Sequence, residues 1–150
     1  MNISGHAALV TGGASGLGEA TARELARLGA KVAILDVNMT LAEAVTNDIG
    51  GVACQCDITN TESVTAAINK AREAHGSARM LMNIAGVGGA KRIVQKDGSA
   101  APLEDFARVV NINLIGLLRH AIVRSSVRSA LADGRQRARR DHVHRLGRSL

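Results

Sequence analysis

A glycine-rich segment near the start of the chain has residue types and a spacing suited to binding phosphate groups. It has the sequence TGGASGLG over residues 11–18 and joins a predicted strand to a predicted helix. Glycine permits a tight turn and a close approach of backbone N–H groups to a pyrophosphate, and the helix N-terminus adds its positive dipole end. A glycine-rich turn without a ligand is the alternative, but the strand–turn–helix context is the one that phosphate binding requires. The residues predicted to contact a dinucleotide here are Gly12, Ser15, Gly16, Leu17 and Gly18.

An acidic residue ends the next apolar run and suits the sugar of the same ligand. The run KVAILD ends at Asp36, and no arginine follows it directly. A carboxylate at this point can accept hydrogen bonds from both hydroxyls of an adenosine ribose and would repel a 2′-phosphate. The sequence therefore predicts NAD as the cofactor rather than NADP, and a solvated acid at a strand end is the alternative interpretation of Asp36.

Short apolar runs alternate with helical patterns four times along the chain. Strands are predicted at residues 6–11, 31–36, 52–56 and 79–83, and helices at residues 16–29, 40–49, 61–75 and from Pro102 to about residue 122. A long polar loop is predicted between the last strand and the last helix. This alternation favours an α/β fold, a doubly wound parallel sheet of the Rossmann type with helices on both faces. We expect residues 1–122 to form such a domain in incomplete form, with strands 1–4 and their helices.

The charge of the chain is concentrated at its C-terminal end. The net charge is +6, yet residues 119–150 have nine Arg and two Asp, whereas residues 1–118 have ten Lys and Arg against eleven Asp and Glu. An arginine-rich tail could contact nucleic acid phosphates, but it contains no aromatic residue for stacking and no DNA-binding motif. Nucleic-acid binding is therefore kept only as a less favoured alternative, and no nucleic-acid partner is predicted.

Composition and patterning also bear on where the protein works. No run of about 18 apolar residues indicates a membrane span, and the N-terminus does not resemble a signal peptide. Cys54 and Cys56 are two positions apart in a predicted strand, a spacing that rarely forms a disulfide. We expect reduced structural thiols in a cytoplasmic protein with no membrane partner.

Four segments in order resemble the short-chain dehydrogenase/reductase family. TGGASGLG is similar to the TGxxxGxG loop of this family, and Cys56-Asp57-Ile58 resembles the end of its third strand. Residues 83–86 (NIAG) are similar to its NNAG segment, with Ile84 as a departure, and residues 111–114 (NINL) to its NxNL stretch. The resemblance implies that Asp57 and Ile58 lie beside the adenine, that Asn83, Ile84, Ala85 and Gly86 lie beside the cofactor, and that Asn113 is the asparagine of the catalytic tetrad, which holds a helix kink and a water of the proton relay.

The resemblance has further implications for topology and substrate. The strand order of the family runs 3-2-1-4-5-6-7, and its full-length members are expected to be homo-oligomers that bind NAD and a small-molecule alcohol or ketone. The segment VGGAKRIVQKDGSAAPLEDF looks most like that of 3-hydroxyacyl-CoA dehydrogenases of the type 10 hydroxysteroid dehydrogenase kind. A 3-hydroxyacyl-CoA is therefore an expected substrate of the whole enzyme.

The tyrosine and lysine that the family uses for proton transfer are missing from this chain. The sequence contains no Tyr, and its last lysine is Lys96, so no YxxxK motif exists. Residues 134–148, shifted forward by one nucleotide, can encode DGxERGVIxxTASV, which is similar to the family's fifth strand with its catalytic serine. We therefore predict an out-of-frame Arg-rich tail at residues 123–150, with the slip between about Leu117 and Asp133, and a chain without dehydrogenase activity. A non-catalytic NAD-binding module is the alternative function.

Overall fold

A four-stranded parallel sheet organises the part of the chain that the structure describes. The computed structural model describes residues 2–89 and 92–121. The strands, numbered in chain order, are β1 (Ala7–Thr11), β2 (Lys31–Asp36), β3 (Val52–Gln55) and β4 (Met80–Asn83). Their spatial order is β3-β2-β1-β4, with every pair parallel. This confirms the predicted Rossmann-like arrangement and the order that the family resemblance implies for the first four strands.

Helices connect the strands, and asparagine side chains cap two of them, α2 and α3. They are α1 (Gly16–Arg27), α2 (Met39–Ile49), α3 (Thr61–His75) and α4 (Leu103–Val110). Asn38 accepts a hydrogen bond from the Leu41 N–H at the start of α2, and Asn60 accepts one from the Ser63 N–H at the start of α3. Each cap satisfies a backbone donor that the first helical turn leaves unpaired.

The core lies on both faces of the sheet, as the continuous apolar runs predict. Successive residues of β2 alternate between two buried clusters, with Ile34 in one and Leu35 in the other. The first cluster contains residues of α1 and α2, and the second contains residues of α3 together with Ile112. Because a strand buried on both faces needs apolar residues at every position, β1 and β2 have no polar side chain in their interiors.

The last predicted helix differs from the observed one. Pro102 is the N-cap rather than a residue of the first turn, and α4 ends at Val110. A π-helical segment, η1 (Asn111–Gly116), follows, and helical backbone continues over residues 117–121. A π-turn accommodates an extra residue in the helix, and the apolar periodicity of the sequence does not reveal that insertion. The predicted Arg-rich tail at residues 123–150 lies outside the described residues.

Smaller differences concern the ends of elements. The structure begins β1 at Ala7 and β4 at Met80, and it ends α1 at Arg27 and β3 at Gln55. Terminal residues of strands and helices depend on single hydrogen bonds, which patterns of hydrophobicity do not resolve. Over residues 2–89 and 92–121, the structure contains no helix with the length and apolar character needed to cross a bilayer.

Candidate functional site

The glycine-rich loop between β1 and α1 is shaped by contacts that exclude side chains. Gly12 has a φ of +66°, and a Cβ built on it would lie 2.7 Å from Cα of Ala85. A Cβ on Gly18 would overlap the backbone carbonyl oxygen of Gly12. The loop can therefore lie against the segment after β4 only with glycine at position 12, and against the first turn of α1 only with glycine at position 18. Its backbone surface and the α1 N-terminus form the floor of a cleft.

This cleft has a volume of about 760 Å³ and lies at the carboxyl ends of the strands. That edge of an open α/β sheet is where ligands bind in such folds. Of the residues predicted from the sequence to contact a cofactor, all but Asn83 line it: Gly12, Ser15, Gly16, Leu17, Gly18, Asp36, Asp57, Ile58, Ile84, Ala85 and Gly86. Eight further residues that were not predicted as cofactor contacts also line the cleft: Leu35, Val37, Cys56, Thr59, Val87, Arg108, Asn111 and Ile112.

Asp36 is held in place by two backbone donors. Its Oδ2 accepts a hydrogen bond from the Ala14 N–H at 3.1 Å, and its Oδ1 accepts one from the Asn38 N–H at 2.9 Å. An ionised carboxylate has about four acceptor positions, so each oxygen keeps capacity for a further donor. The carboxylate is therefore oriented at the cleft wall and able to receive hydroxyl groups.

Thr11, at the end of β1, joins the glycine-rich loop to the segment after β4. Its hydroxyl oxygen accepts hydrogen bonds from the Ile84 N–H at 3.1 Å and the Ala85 N–H at 3.2 Å. Thr11 is 1% exposed, so water does not replace these bonds. In the sequence, Thr11 is distinguished only as the first residue of the loop. A buried hydroxyl at the end of a central strand was the available signal, because buried hydroxyls require partners.

The Asp57 carboxylate sits in a tight turn after β3. Its Oδ1 accepts from the Thr59 N–H at 2.8 Å and from the Thr59 hydroxyl at 2.7 Å. These hydrogen bonds are the main cause that lowers the pKa of Asp57 below its usual value, since they favour the charged form. A fixed negative charge therefore stands at the β3 side of the cleft, where the family resemblance implies the adenine.

Asn83 and Asn113 do not line the cleft. The side chain of Asn113 accepts from the Val87 N–H and donates to the Val87 carbonyl oxygen, both at 2.9 Å, and so fastens η1 to the segment after β4. Asn113 lies within the π-helical segment, the kind of helix distortion that the family resemblance implies for this residue. The buried Oδ1 of Asn83 has no hydrogen-bond partner among the described residues.

A buried histidine and a buried cysteine meet beneath the β3 side of the cleft. His120 is fully buried, and its Nε2 lies 3.7 Å from Sγ of Cys56. Burial lowers the pKa of His120, and burial first, followed by the charge of Asp57, raises the pKa of the Cys56 thiol to about 12. Beside this pair, Nη1 of Arg119 donates to the Ile58 carbonyl oxygen at 2.7 Å. Both contacts fasten the C-terminal part of the last helix to the end of β3.

These two pKa shifts predict a stability maximum between about pH 6.5 and pH 9. Below the ordinary histidine pKa of 6.5 the unfolded chain binds a proton, whereas buried His120 in the folded chain stays neutral to lower pH. The free energy of unfolding therefore falls as pH falls. Above the ordinary thiol pKa of 9.0 the unfolded chain loses a proton that folded Cys56 keeps. The free energy of unfolding therefore falls again as pH rises. Urea unfolding at closely spaced pH values measures both limbs.

Two variants show which residue causes each limb, the acid limb being the fall in the free energy of unfolding below about pH 6.5 and the alkaline limb the fall above about pH 9. His120→Val should reduce the fall in the free energy of unfolding below about pH 6.5 and leave the fall above about pH 9 in place. Cys56→Ala should weaken the alkaline limb, with the remainder due to Cys54, whose pKa burial also raises. An acid limb of unchanged size in His120→Val would show that another group causes it.

Comparison with known proteins identifies the family. A family model described as short chain dehydrogenase matches residues 6–130. The chain belongs to the short-chain dehydrogenase family. Short-chain dehydrogenases bind a nicotinamide dinucleotide and a small-molecule substrate, and the family membership confirms the resemblance found in the sequence motifs.

Relatives of the chain include several oxidoreductases. The chain is 40% identical to borneol dehydrogenase, mitochondrial, from Lavandula x intermedia, over 77% of this chain and 43% of that protein. It is also 40% identical to 3-hydroxyacyl-CoA dehydrogenase type-2 from Bos taurus, over 77% of this chain and 45% of that protein. The solved structure of gox2181 superposes with a TM-score of 0.73 at 28% identity, over 83% of this chain and 49% of that one. The chain thus spans less than half the length of these proteins.

Proposed function

We propose that residues 1–122 bind NAD and form the dinucleotide-binding half of an oxidoreductase that acts on a secondary alcohol or ketone. The observation that carries this proposal is the cleft in which the glycine-rich loop, Asp36 and Asp57 meet. The site fits the cofactor, because Gly16 lines the cleft and no heavy atom of the described residues lies within 4 Å of a Cβ built on it, so a pyrophosphate can approach the backbone there closely. When bound, the nicotinamide supplies the carbon that exchanges a hydride with the substrate.

The preference for NAD over NADP follows from Asp36. Its carboxylate is fixed by the backbone N–H groups of Ala14 and Asn38 and keeps free acceptor positions for ribose hydroxyls. A 2′-phosphate would bring negative charge against this carboxylate, and the next residue, Val37, offers no cation to relieve it. We infer that the adenosine ribose of NAD lies at Asp36.

Asp36→Ala tests this preference. The unaltered chain should bind NAD at least ~10-fold more tightly than NADP, which corresponds to about 1.4 kcal/mol. The variant should lose NAD affinity by about 1.5–3 kcal/mol, the size of a hydrogen bond to a charged group, and should narrow the gap between the two cofactors. Calorimetric titration with NAD and NADP measures both constants.

Asp48→Ala is the matched control for the loss of one negative charge. Asp48 is exposed near the end of α2 and pairs with Arg23 at the surface, a contact of small energy. This variant should keep both affinities of the unaltered chain. Tighter binding of NADP than of NAD by the unaltered chain would refute the assignment of Asp36.

We also infer that the 150-residue chain binds the dinucleotide without transferring a hydride. Family chemistry uses a tyrosine, and this sequence contains none. Asn113 is the single residue of the catalytic tetrad that we assign here, on its motif and on its bonds to Val87 at the distorted helix. In titrations that include a 3-hydroxyacyl-CoA or a simple secondary alcohol, binding should occur without formation of reduced cofactor. Turnover that disappears in Asn113→Ala would contradict this inference.

The out-of-frame origin of residues 123–150 remains a proposal about the gene. The family match ends at residue 130, within the interval between Leu117 and Asp133 in which we expect the slip. Sequencing the coding DNA and translating it in all three forward frames tests this origin directly. A serine-bearing fifth strand followed by a YxxxK motif in another frame is the expected result. The cytoplasmic location of this protein stays a prediction, and so does the homo-oligomeric state of its full-length relatives.

A further inference from the structure

One wall of the cleft is formed by the last helix. Arg108, Asn111 and Ile112 line the cleft, and their spacing of three and four positions places them on one helix face. Ile112 packs in the same apolar cluster as Ile58, and Ile58 lines the cleft next to Asp57. This helix face therefore stands over the end of β3, and Arg108 lies one turn before Ile112 on the same wall.

Arg108 differs in charge from the other ionisable groups of the cleft. Asp36 and Asp57 are negative, and Arg108 is the single cationic side chain among the described residues that line it. The side chain of Arg108 is exposed, and its guanidinium makes no ion pair or hydrogen bond to any residue in the ranges 2–89 and 92–121. It is therefore able to lie against a ligand without giving up a partner.

The ring of a bound adenosine needs a surface on which to stack. No aromatic side chain lines the cleft within the described part of the chain, so the surfaces on offer are aliphatic groups, such as Ile58 and Ile112, and the guanidinium of Arg108. A guanidinium is planar, delocalised and weakly hydrated, and it stacks on aromatic faces. The aromatic ring expected beside Asp57 and Ile58 is the adenine.

We propose that Arg108 is a further dinucleotide-binding residue whose guanidinium covers the exposed face of the adenine. This inference rests on the proposed function, since it assumes that the cleft receives an adenosine. It assigns to Arg108 a role in affinity through stacking rather than through pairing with the phosphates. A neutral adenosine without phosphates should therefore depend on Arg108 as much as ADP-ribose does.

Binding of adenosine and of ADP-ribose by the Arg108→Ala and Arg108→Lys chains tests the proposal, with affinities from NMR titration. Arg108→Ala should weaken both ligands by a similar factor of about three- to five-fold, the size expected for an exposed cation on an aromatic face. Arg108→Lys should recover less than half of this loss, because the ammonium is not planar. Arg79→Gln is the matched control, since Arg79 is exposed and precedes β4 at the opposite edge of the sheet. This control should bind like the unaltered chain.

Other outcomes would contradict either the role of Arg108 or the function on which it rests. Equal adenosine affinity in the unaltered chain and in Arg108→Ala would overturn the proposal, and so would full recovery in Arg108→Lys. Failure of the unaltered chain to bind either ligand would overturn the proposed function together with this inference. Because Arg108 is exposed on a helix and alanine is a good helix former, the variant should keep the circular dichroism spectrum and thermal midpoint of the unaltered chain.

Discussion

Gly18→Ala should reduce the affinity for NAD or ADP-ribose at least ~100-fold, which corresponds to about 2.8 kcal/mol. The added Cβ would overlap the carbonyl oxygen of Gly12, and backbone atoms on both sides leave no flexible side chain to move away. The loop must then separate from the first turn of α1. That movement removes the N–H groups and the helix end from the positions that a pyrophosphate needs. Calorimetric titration with ADP-ribose measures the loss.

Gly88→Ala is the matched control for this substitution. Among residues 2–89 and 92–121, no heavy atom lies within 4 Å of a Cβ built on Gly88, and its φ is not positive. This variant should bind ADP-ribose like the unaltered chain. Retention of binding within three-fold by Gly18→Ala would show that the loop does not carry the pyrophosphate in this conformation.

Thr11→Val should lower the free energy of unfolding by about 2–4 kcal/mol, because it leaves two partly buried N–H groups without an acceptor. The donors are the backbone N–H groups of Ile84 and Ala85, and valine has nearly the shape of threonine. The same change frees the segment after β4, which lines the cleft, so affinity for ADP-ribose should also fall. Urea unfolding and calorimetry measure the two effects.

Thr11→Ser distinguishes the contribution of the Thr11 hydroxyl to the free energy of unfolding from that of its methyl group. Serine keeps the acceptor and removes one methyl group, so a loss of about 1 kcal/mol from burial alone is expected. Equal losses in Thr11→Val and Thr11→Ser would show that packing, rather than the hydrogen bonds to Ile84 and Ala85, explains the effect.

The parallel sheet and the floor of the cleft could be predicted from local patterns in the sequence. Continuous apolar runs such as KVAILD indicate strands buried on both faces, and glycines between a strand and a helix indicate a phosphate loop. The position of Asp36 could be predicted because it is the last residue of the run KVAILD, which forms β2. Each of these inferences depends on residues that are close in sequence.

Features that join distant segments could not be predicted in this way. The bonds from Ile84 and Ala85 to Thr11 span more than 70 positions, and the contact of His120 with Cys56 spans 64. The π-helical segment arises where the Asn113 side chain bonds to Val87 across the fold, so a helical pattern alone does not show it. Arg108 lines the cleft because the last helix packs over the end of β3, a contact between distant segments that the sequence pattern does not show.

Backbone amide shifts on addition of ADP-ribose report where the dinucleotide lies and so test whether it occupies the cleft. We expect shifts at residues 12–18, 36–38, 57–59 and 84–87, which surround the cleft, and no comparable shifts at the opposite ends of the strands. Shifts confined to other surfaces, or no shift at saturating ligand in a chain shown to be folded, would contradict this expectation.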